Sequence, residues 1–522
     1  MSVSLIPESA PFNESQRAWL NGFLAGWTGL EPGSEGEGLA AATGLLESET
    51  DTVVEEDFPW HDSALEMDER LKLAEGKPVE RRLMAAMAQL DCGACGYVCQ
   101  TYSEAIAAGD ESNLTLCSPG GKETAKMLKK IIKEAGAPSS NGQAATKEAD
   151  GQISRSNPWA APVKSVHNLN NEGSSKVTTH AVIDLAGSGL SYRVGDSLGV
   201  YPTNCPDLVD AILSAIGSDG SEAVEGPDGF QGTLKEALLT KSNLRDVEEE
   251  LLELLIATTK DQAEKTKLQS LVDSDELDEL DVLDLLEIAP SAKPPAAGFA
   301  MSLAALNPRL YSIASSLDAH PEEVHLTVGR ATCEVKGRER KGVASTMFSD
   351  RINSGDKVPV FVQPSHGFTT PENPDATMIM VGPGTGIAPF RAFLEDRQAA
   401  GAKGKNWLFF GDQHAATDFL YEEEFAAMQE SGLLTKLSTA FSRDQAEKVY
   451  VQNRMTEQGA ELFEWLEEGA YFFVCGDAKR MANDVDKALH LLITEHGNLN
   501  ETEAKQYVES LKSANRYVRD VY

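Results

Sequence analysis

From Met378 the chain runs strand, glycine-rich loop, helix, strand. An apolar Met378–Val381 leads into Gly382-Pro-Gly384-Thr385-Gly386-Ile-Ala-Pro389, then a helical 390–397 and an apolar 407–410. That order is the grammar of a parallel α/β nucleotide domain, because parallel strands must be joined by a crossover helix. Glycines at the strand end let a dinucleotide pyrophosphate approach the backbone at a helix N-terminus. Many such loops are plain turns, so the strand–loop–helix context carries the reading. Further on, Ser442, Arg443, Lys448, Tyr450 and Gln452 gather two cations and several donors in one short segment. This set suits the 2′-phosphate of NADP, where NAD would want a carboxylate. A solvated charged face is the plain alternative.

Upstream the pattern differs. From residue 157, strand-like runs at 180–185, 324–329 and Lys357–Gln363 alternate with Gly and Pro. Between them an acidic stretch at about 206–297 has helical periodicity, as in Leu251, Leu252, Leu254 and Leu255, and reads as a helical insertion. Arg309-Leu-Tyr311-Ser312 opens a strand after a proline. It offers a guanidinium for a pyrophosphate, an aromatic to stack on a flavin and a hydroxyl for its N5 edge. Alone it could be a strand with a surface arginine. It gains weight from Gly342-Val-Ala-Ser345-Thr346, small residues that open a helix and admit phosphate to the backbone N–H groups.

Four of the seven cysteines fall within 26 residues: Cys92-Gly-Ala-Cys95-Gly-Tyr-Val-Cys99, then Cys117-Ser-Pro-Gly-Gly. Four thiolates converging with little bulk between them suit an iron–sulfur cluster, with Gly93 and Gly96 supplying freedom. Cys95 and Cys99 stand at i and i+4, so a helical turn would present both on one side. Cys117 would return after a helix at 102–108, by way of the Pro119-Gly120-Gly121 turn. Structural zinc is the rival, since it takes the same four thiolates. The electron-transfer machinery that follows favours the cluster.

A net charge of −36 argues against nucleic acid, whose phosphates demand Lys and Arg. No run of 18 apolar residues exists, so no membrane span is expected. The start of the chain has neither a basic segment nor an apolar stretch, and the expected compartment is the cytoplasm. Around Trp19, Leu20, Phe23, Leu24 and Trp27 the spacing fits one helix face, a packing surface, before a Gly/Glu/Thr-rich break near 32–56. A helix at 81–90 leads into the cysteines. The expected divisions are a helical segment 1–84, a four-cysteine module 85–134, a linker 135–156, a flavin-binding barrel with its helical insert 157–375, and a nucleotide domain 376–522.

Taken together, residues 309–316 (Arg-Leu-Tyr-Ser-Ile-Ala-Ser-Ser), the loop from Gly382 to Phe393, Lys405-Asn-Trp-Leu-Phe-Phe-Gly411, Lys448-Val-Tyr-Val-Gln452, Val474-Cys-Gly-Asp477 and Arg519-Asp-Val-Tyr522 resemble the FAD/NADPH half of the NADPH-sulfite reductase flavoproteins, in the diflavin reductase family. The cysteine segment is similar to four-cysteine [4Fe-4S] domains, which have one more residue between the second and third cysteines. The resemblance covers about two thirds of the chain. It implies a ferredoxin-NADP-reductase-like fold: an FAD barrel with helical insert and a parallel α/β NADPH domain, here preceded by a small helical Fe–S module. It also implies that Arg309, Tyr311, Ser312, Thr327, Gly329, Gly342, Ser345 and Tyr522 contact FAD. Gly384, Thr385, Ser442, Arg443, Lys448, Tyr450, Gln452 and Asp484 would contact NADPH. Ser312, Cys475, Asp520 and Tyr522 would surround the hydride-transfer site, and Cys92, Cys95, Cys99 and Cys117 would hold the cluster. Cys333 stands where the relatives have a flavin-contacting tyrosine. The family's FMN-binding flavodoxin domain has no counterpart in the strand pattern of the first 150 residues, so the cluster would take its place as one-electron carrier. The expected partner is the sulfite reductase haemoprotein (sirohaem) subunit. An assimilatory nitrate or nitrite reductase is an alternative partner, and a zinc-stapled binding subunit an alternative of another class.

Overall fold

The computed structural model describes residues 58–61, 65–90, 93, 95–111, 113–117, 119–135, 153–272, 277, 279–365 and 367–522. The helix face around Trp19 to Trp27, the break at 32–56, Cys92 and most of the expected linker lie outside these residues. Chain segments 1–59 and 60–522 form separate units, and the fold below is that of the second.

Its first ten strands are β1 (Trp159–Asn168), β2 (Thr178–Asp184), β3 (Ser197–Val200), β4 (Ala223–Glu225), β5 (Gln231–Thr233), β6 (Arg309–Ser312), β7 (Glu323–Gly329), β8 (Thr332–Val335), β9 (Arg338–Lys341) and β10 (Lys357–Gln363). Six of them form an antiparallel sheet in the order β6-β3-β10-β1-β2-β7. β1 shares itself between neighbours, pairing with β10 through Trp159 to Pro162 and with β2 from Val163 onward. The register shifts between Val163 and Ser165, and such a bulge bends the strand. The two sheet ends then meet through the Ile313–Leu326 bridge, closing the barrel. Ala161, Val163, Leu198, Leu326, Val328 and Val360 fill its interior, and helix Val343–Asp350 packs Met347 and Phe348 onto it.

The insertion is helical, as expected, with six α-helices among the described residues, from Pro206–Ile216 to Ala296–Met301. It has its own apolar core, in which Leu251, Leu252 and Leu255 are buried and Leu254 packs at the edge. The β4–β5 ribbon within it was not expected from the periodicity.

The remaining strands, β11 (Met378–Val381), β12 (Asn406–Asp412), β13 (Lys436–Phe441), β14 (Tyr471–Gly476) and β15 (Tyr517–Val521), form a parallel sheet in the order β13-β12-β11-β14-β15. Every residue of β11 is buried, the mark of a strand covered on both faces. The expected glycine loop follows it as a single turn, Gly384–Ile387, that runs into helix Ala388–Ala399. No helix among the described residues is long and apolar enough to cross a membrane.

The cysteine module packs helices Met67–Leu73, Val79–Ala86, Cys99–Ala108 and Gly121–Ala135 around Leu83, Met87, Tyr102, Leu128 and Ile131. Two expectations fail here. The helix expected at 81–90 ends at Ala86, because Met87 is extended and Gln89 takes a φ of +60°. Cys95 and Cys99 do not share a helical turn either. Gly96 adopts a φ of +76° and Val98 is extended, so the helix starts only at Cys99. An i, i+4 spacing predicts a common face only where the intervening backbone is helical.

Barrel and nucleotide domain meet at a polar seam. Arg391, 5% exposed, donates to the Ala314 carbonyl of the barrel (2.6 Å) and pairs with Glu395 (2.8 Å) and Glu424 (2.7 Å). Glu395 accepts the Ser316 N–H at 3.1 Å. Beside it, Tyr421 Oη lies 2.8 Å from His180 Nδ1 and 2.6 Å from Thr327 Oγ1. His325 Nε2 lies 3.1 Å from Glu323, and its Nδ1 faces Arg391 at 3.4 Å, which fits a neutral ring.

Burial, with the nearby Arg391 charge, drives the His180 pKa down to about 2; burial lowers that of His325 to about 4. In the unfolded chain both rings would take a proton near pH ~6.5. Between those limits the unfolded state binds more protons, so stability from these rings is complete above pH ~6.5 and falls as pH drops. The melting temperature should therefore decline from pH 7 to 5, by the equivalent of about 4 kcal/mol shared between the two rings, and His180→Gln should flatten the decline by half. An unchanged slope in the variant would remove His180 from the account.

Candidate active site

The barrel's cavity holds about 880 Å³ and opens between β6, the β8–β9 hairpin and the start of helix Val343–Asp350. Arg309, Tyr311, Ser312, Thr327, Gly329, Gly342, Ser345, Thr385, Asp520 and Tyr522 all line it. β6 accounts for three of these. It pairs with β3 so that Tyr311 lies opposite Leu198 and Ser312 opposite Ser197. Arg309 bonds the carbonyl of Asn307 at 2.9 Å. Tyr311 meets Phe348 edge-on at 6.0 Å.

Gly342 caps helix Val343–Asp350, and a Cβ there would lie 2.6 Å from Ser345 Oγ and 3.1 Å from the Ala331 carbonyl. The close approach demands glycine, and it leaves helix N–H groups open to the cavity, a setting that favours an anion. Ser345 Oγ also accepts the Ala331 N–H at 3.2 Å. A pyrophosphate with an aromatic ring system attached fits this donor set: Arg309 and the helix end for the anion, Tyr311 and Tyr522 for the rings. Cys333 lines the same cavity from β8, and no other role for it is evident.

At the cavity's inner end three separate stretches converge. Ser312 Oγ donates to Asp520 Oδ2 at 2.8 Å, and Cys475 Sγ lies 3.8 Å from the same oxygen. Strand register sets this up, because β15 runs parallel to β14 with Asp520 paired to Cys475. Burial raises the Cys475 thiol well above its ordinary pKa and the Asp520 charge adds to this, so the thiol is neutral at pH 7. Tyr522 is anchored by its N–H to the Gly476 carbonyl (3.1 Å), and its hydroxyl lies 3.1 Å from Thr385. The residue as a whole is 42% exposed.

Thr385 belongs to the glycine loop. Gly386 fits because a Cβ there would lie 2.2 Å from the Cys475 carbonyl, so the loop lies directly on β14. At the same sheet edge the Ser442 N–H bonds Asp412 O and the Arg443 N–H bonds Gln413 O, each at 2.8 Å. Arg443, Lys448 and Tyr450 are exposed, while Gln452 reaches Asp484 at 3.4 Å. One residue went unnoticed in the sequence. Lys176, between β1 and β2, holds both oxygens of Asp412 at 2.7 Å and lies about 4.0 Å from where a Gly384 Cβ would stand. Only the fold joins residues 236 positions apart.

In the N-terminal module Cys95, Cys99 and Cys117 line one small cavity with Tyr97, Tyr102 and Leu116. The turn expected at Pro119 to Gly121 is present, with the N–H groups of Gly120 and Gly121 both on the Cys117 carbonyl. A Cβ on Gly120 would stand 3.0 Å from Cys117 Sγ. Cys92 lies outside the described residues. The described thiols suit any metal centre that takes cysteine sulfur.

Comparison with known proteins agrees with this division. Residues 151–347 match the family FAD binding domain, and 380–487 match the Oxidoreductase NAD-binding domain. The sulfite reductase [NADPH] flavoprotein alpha-component of Bacillus subtilis (strain 168) is 43% identical over 388 residues, 73% of this chain and 63% of that protein. The proteins of the same name from Aliivibrio fischeri (strain ATCC 700601 / ES114) and a Vibrio cholerae strain (ATCC 39541) are 44% and 42% identical, covering 71% and 73% of this chain and 61% and 62% of their own lengths. The chain thus spans a little over three fifths of the length of these relatives. With an FAD-binding and an oxidoreductase NAD-binding domain in succession, this chain is a homologue of the sulfite reductase [NADPH] flavoprotein alpha-components.

Proposed function

We propose that the chain oxidises NADPH and passes the electrons singly, through FAD and a [4Fe-4S] cluster, to a partner protein, the haemoprotein subunit that reduces sulfite. One observation carries the reading. The phosphate cradle at Gly342, the aromatic pair Tyr311 and Tyr522, and the Ser312–Asp520 pair all face one cavity, with Cys475 buried behind Asp520 and the nucleotide loop on the rim. The relatives' name supplies NADPH and, in "alpha-component", a second subunit.

FAD held by Arg309, Tyr311, Ser312, Thr327, Gly329, Gly342, Ser345 and Tyr522 would supply the conversion of a two-electron hydride into single electrons. The chain's own residues do the rest. Asp520 places a carboxylate where a nicotinamide would gain positive charge on losing hydride, and preorganised charge of that kind lowers the barrier. Ser312 fixes the carboxylate by donating to it, and the neutral Cys475 thiol adds bulk without competing charge. Tyr522, half-exposed at the end of its strand, covers the site and must move before a nicotinamide can stack there. Gly384 and Thr385 would meet the NADPH pyrophosphate. Ser442, Arg443, Lys448, Tyr450, Gln452 and Asp484 would surround its 2′-phosphate end. Cys95, Cys99 and Cys117, with Cys92, would hold the cluster.

Arg443→Ala should raise KM for NADPH by about tenfold or more and leave KM for NADH nearly unchanged, since a charge-assisted contact is worth about 1.5–3 kcal/mol. Equal changes for both cofactors would reject the assignment.

The cysteine centre is tested by Cys117→Ala. Iron content and the EPR signal of the reduced protein should fall, while NADPH still reduces FAD and ferricyanide. NADPH-driven sulfite reduction with the haemoprotein should collapse. Zinc without iron in the wild-type chain would refute the cluster and restore the structural-metal alternative.

A further inference from the structure

The cysteine module does not stand clear of the flavin cavity. Gly93, between the first two cysteines of the motif, is buried and lines that cavity. A Cβ on it would lie 2.5 Å from Leu310 Cβ, on the strand that carries Arg309, Tyr311 and Ser312. Gly96 makes a second contact, where a Cβ would lie 2.8 Å from Pro308 Cγ. Both have positive φ, at +63° and +76°. These glycines were expected to give the cysteines room; in the fold they are also where the cysteine loop touches the barrel.

A single arginine clamps the contact. Arg155, just ahead of β1, lays its guanidinium over the Tyr97 ring with Cζ 3.7 Å from the centroid. Nη1 donates to the Gly96 carbonyl and Nη2 to Asn307 Oδ1 at 3.0 Å. Its own carbonyl accepts the Tyr201 hydroxyl at 2.8 Å, which ties the clamp to the barrel. Tyr97 is braced in turn by Glu111 at 3.2 Å. A planar fork that stacks on a ring and donates in two directions is a task for arginine, and lysine offers only a point charge. Leu90, just before the motif, packs on the core of the nucleotide domain.

We propose that Arg155 is a positioning residue that seats the cysteine loop on the rim of the flavin cavity, so that Gly93 against Leu310 is a fixed contact across which electrons leave the flavin for the thiol centre, without a swing of the module. The inference rests on the cluster reading above for what receives the electrons, but not for the seating itself. The overall exchange is unaltered. One NADPH becomes NADP⁺ with release of a proton, and two electrons reach two equivalents of a one-electron acceptor, either ferricyanide or the partner.

The test compares Arg155→Ala and Arg155→Lys with the wild-type holoprotein. Hydrogen exchange of peptides covering 93–99 and 307–311 should rise by about tenfold in Arg155→Ala, matching the loss of a charge-assisted contact. FAD and iron contents should not change, nor should flavin reduction by NADPH and the ferricyanide rate. In stopped flow, bleaching of the cluster absorbance after flavin reduction should slow by about tenfold or more in Arg155→Ala and be only partly restored in Arg155→Lys. Unchanged exchange protection, or cluster bleaching as fast as in wild type, would overturn the proposal. If the wild-type protein holds no iron, the cluster reading fails by itself. Increased exchange in Arg155→Ala would then still support the seated module, and unchanged exchange would overturn it.

Discussion

A nearly buried guanidinium sits at the junction of the two large domains, and much of the site's geometry follows from how it is satisfied. Arg391 is held by Glu395 and Glu424 and donates to the barrel's Ala314 carbonyl. Burying a charge is tolerable only with such complete pairing, and removing one partner would leave the other charge stranded. The network therefore holds two sheets in one relation. Glu395 also takes the Ser316 N–H, four residues beyond Ser312, and Arg391 stands on the helix that follows the glycine loop. Cavity wall and nucleotide loop are thus connected through one ion-pair cluster. His180 and His325 beside it fit that role: with their pKa values lowered by burial, they fill the seam with uncharged rings.

Local pattern was enough to find the large pieces. The strand at Lys357–Gln363, the turn at Gly384 and the helix entered at Gly342 follow from propensity and glycine placement, which are properties of a few adjacent residues. What eluded the sequence depends on distant partners. Lys176 on Asp412 and Arg155 on Tyr97 are joined only by folding, and neither lies in a run that would mark it. The shared helical turn for Cys95 and Cys99 failed for a local reason. A glycine at positive φ interrupts the helix between them, and spacing alone cannot detect that. Gly93 and Gly96 show the same ambiguity, because a residue without a side chain fits both a thiol loop and a close contact with the side chains of another element.

The inner end of the cavity shows how much rests on register. Asp520 faces Ser312 and Cys475 because β15 pairs with β14 in one alignment, and β15 is the last strand at the sheet's edge. A slip by one residue would turn Asp520 to the opposite face and carry Tyr522 away from Thr385. The strand is pinned at both ends. Tyr517 is buried and bonds Asp486 at 2.9 Å, Val521 is buried, and the Arg516 guanidinium holds the Ala470 carbonyl. Tyr522 N–H on Gly476 and Ala478 N–H on the Tyr522 carbonyl fasten the last residue. The main chain of this last residue is thus fixed at both its N–H and its carbonyl, while its ring is held through the hydroxyl on Thr385. Where the cysteine loop meets Leu310 and Pro308 through Gly93 and Gly96, one arginine likewise clamps the chain by its Gly96 carbonyl.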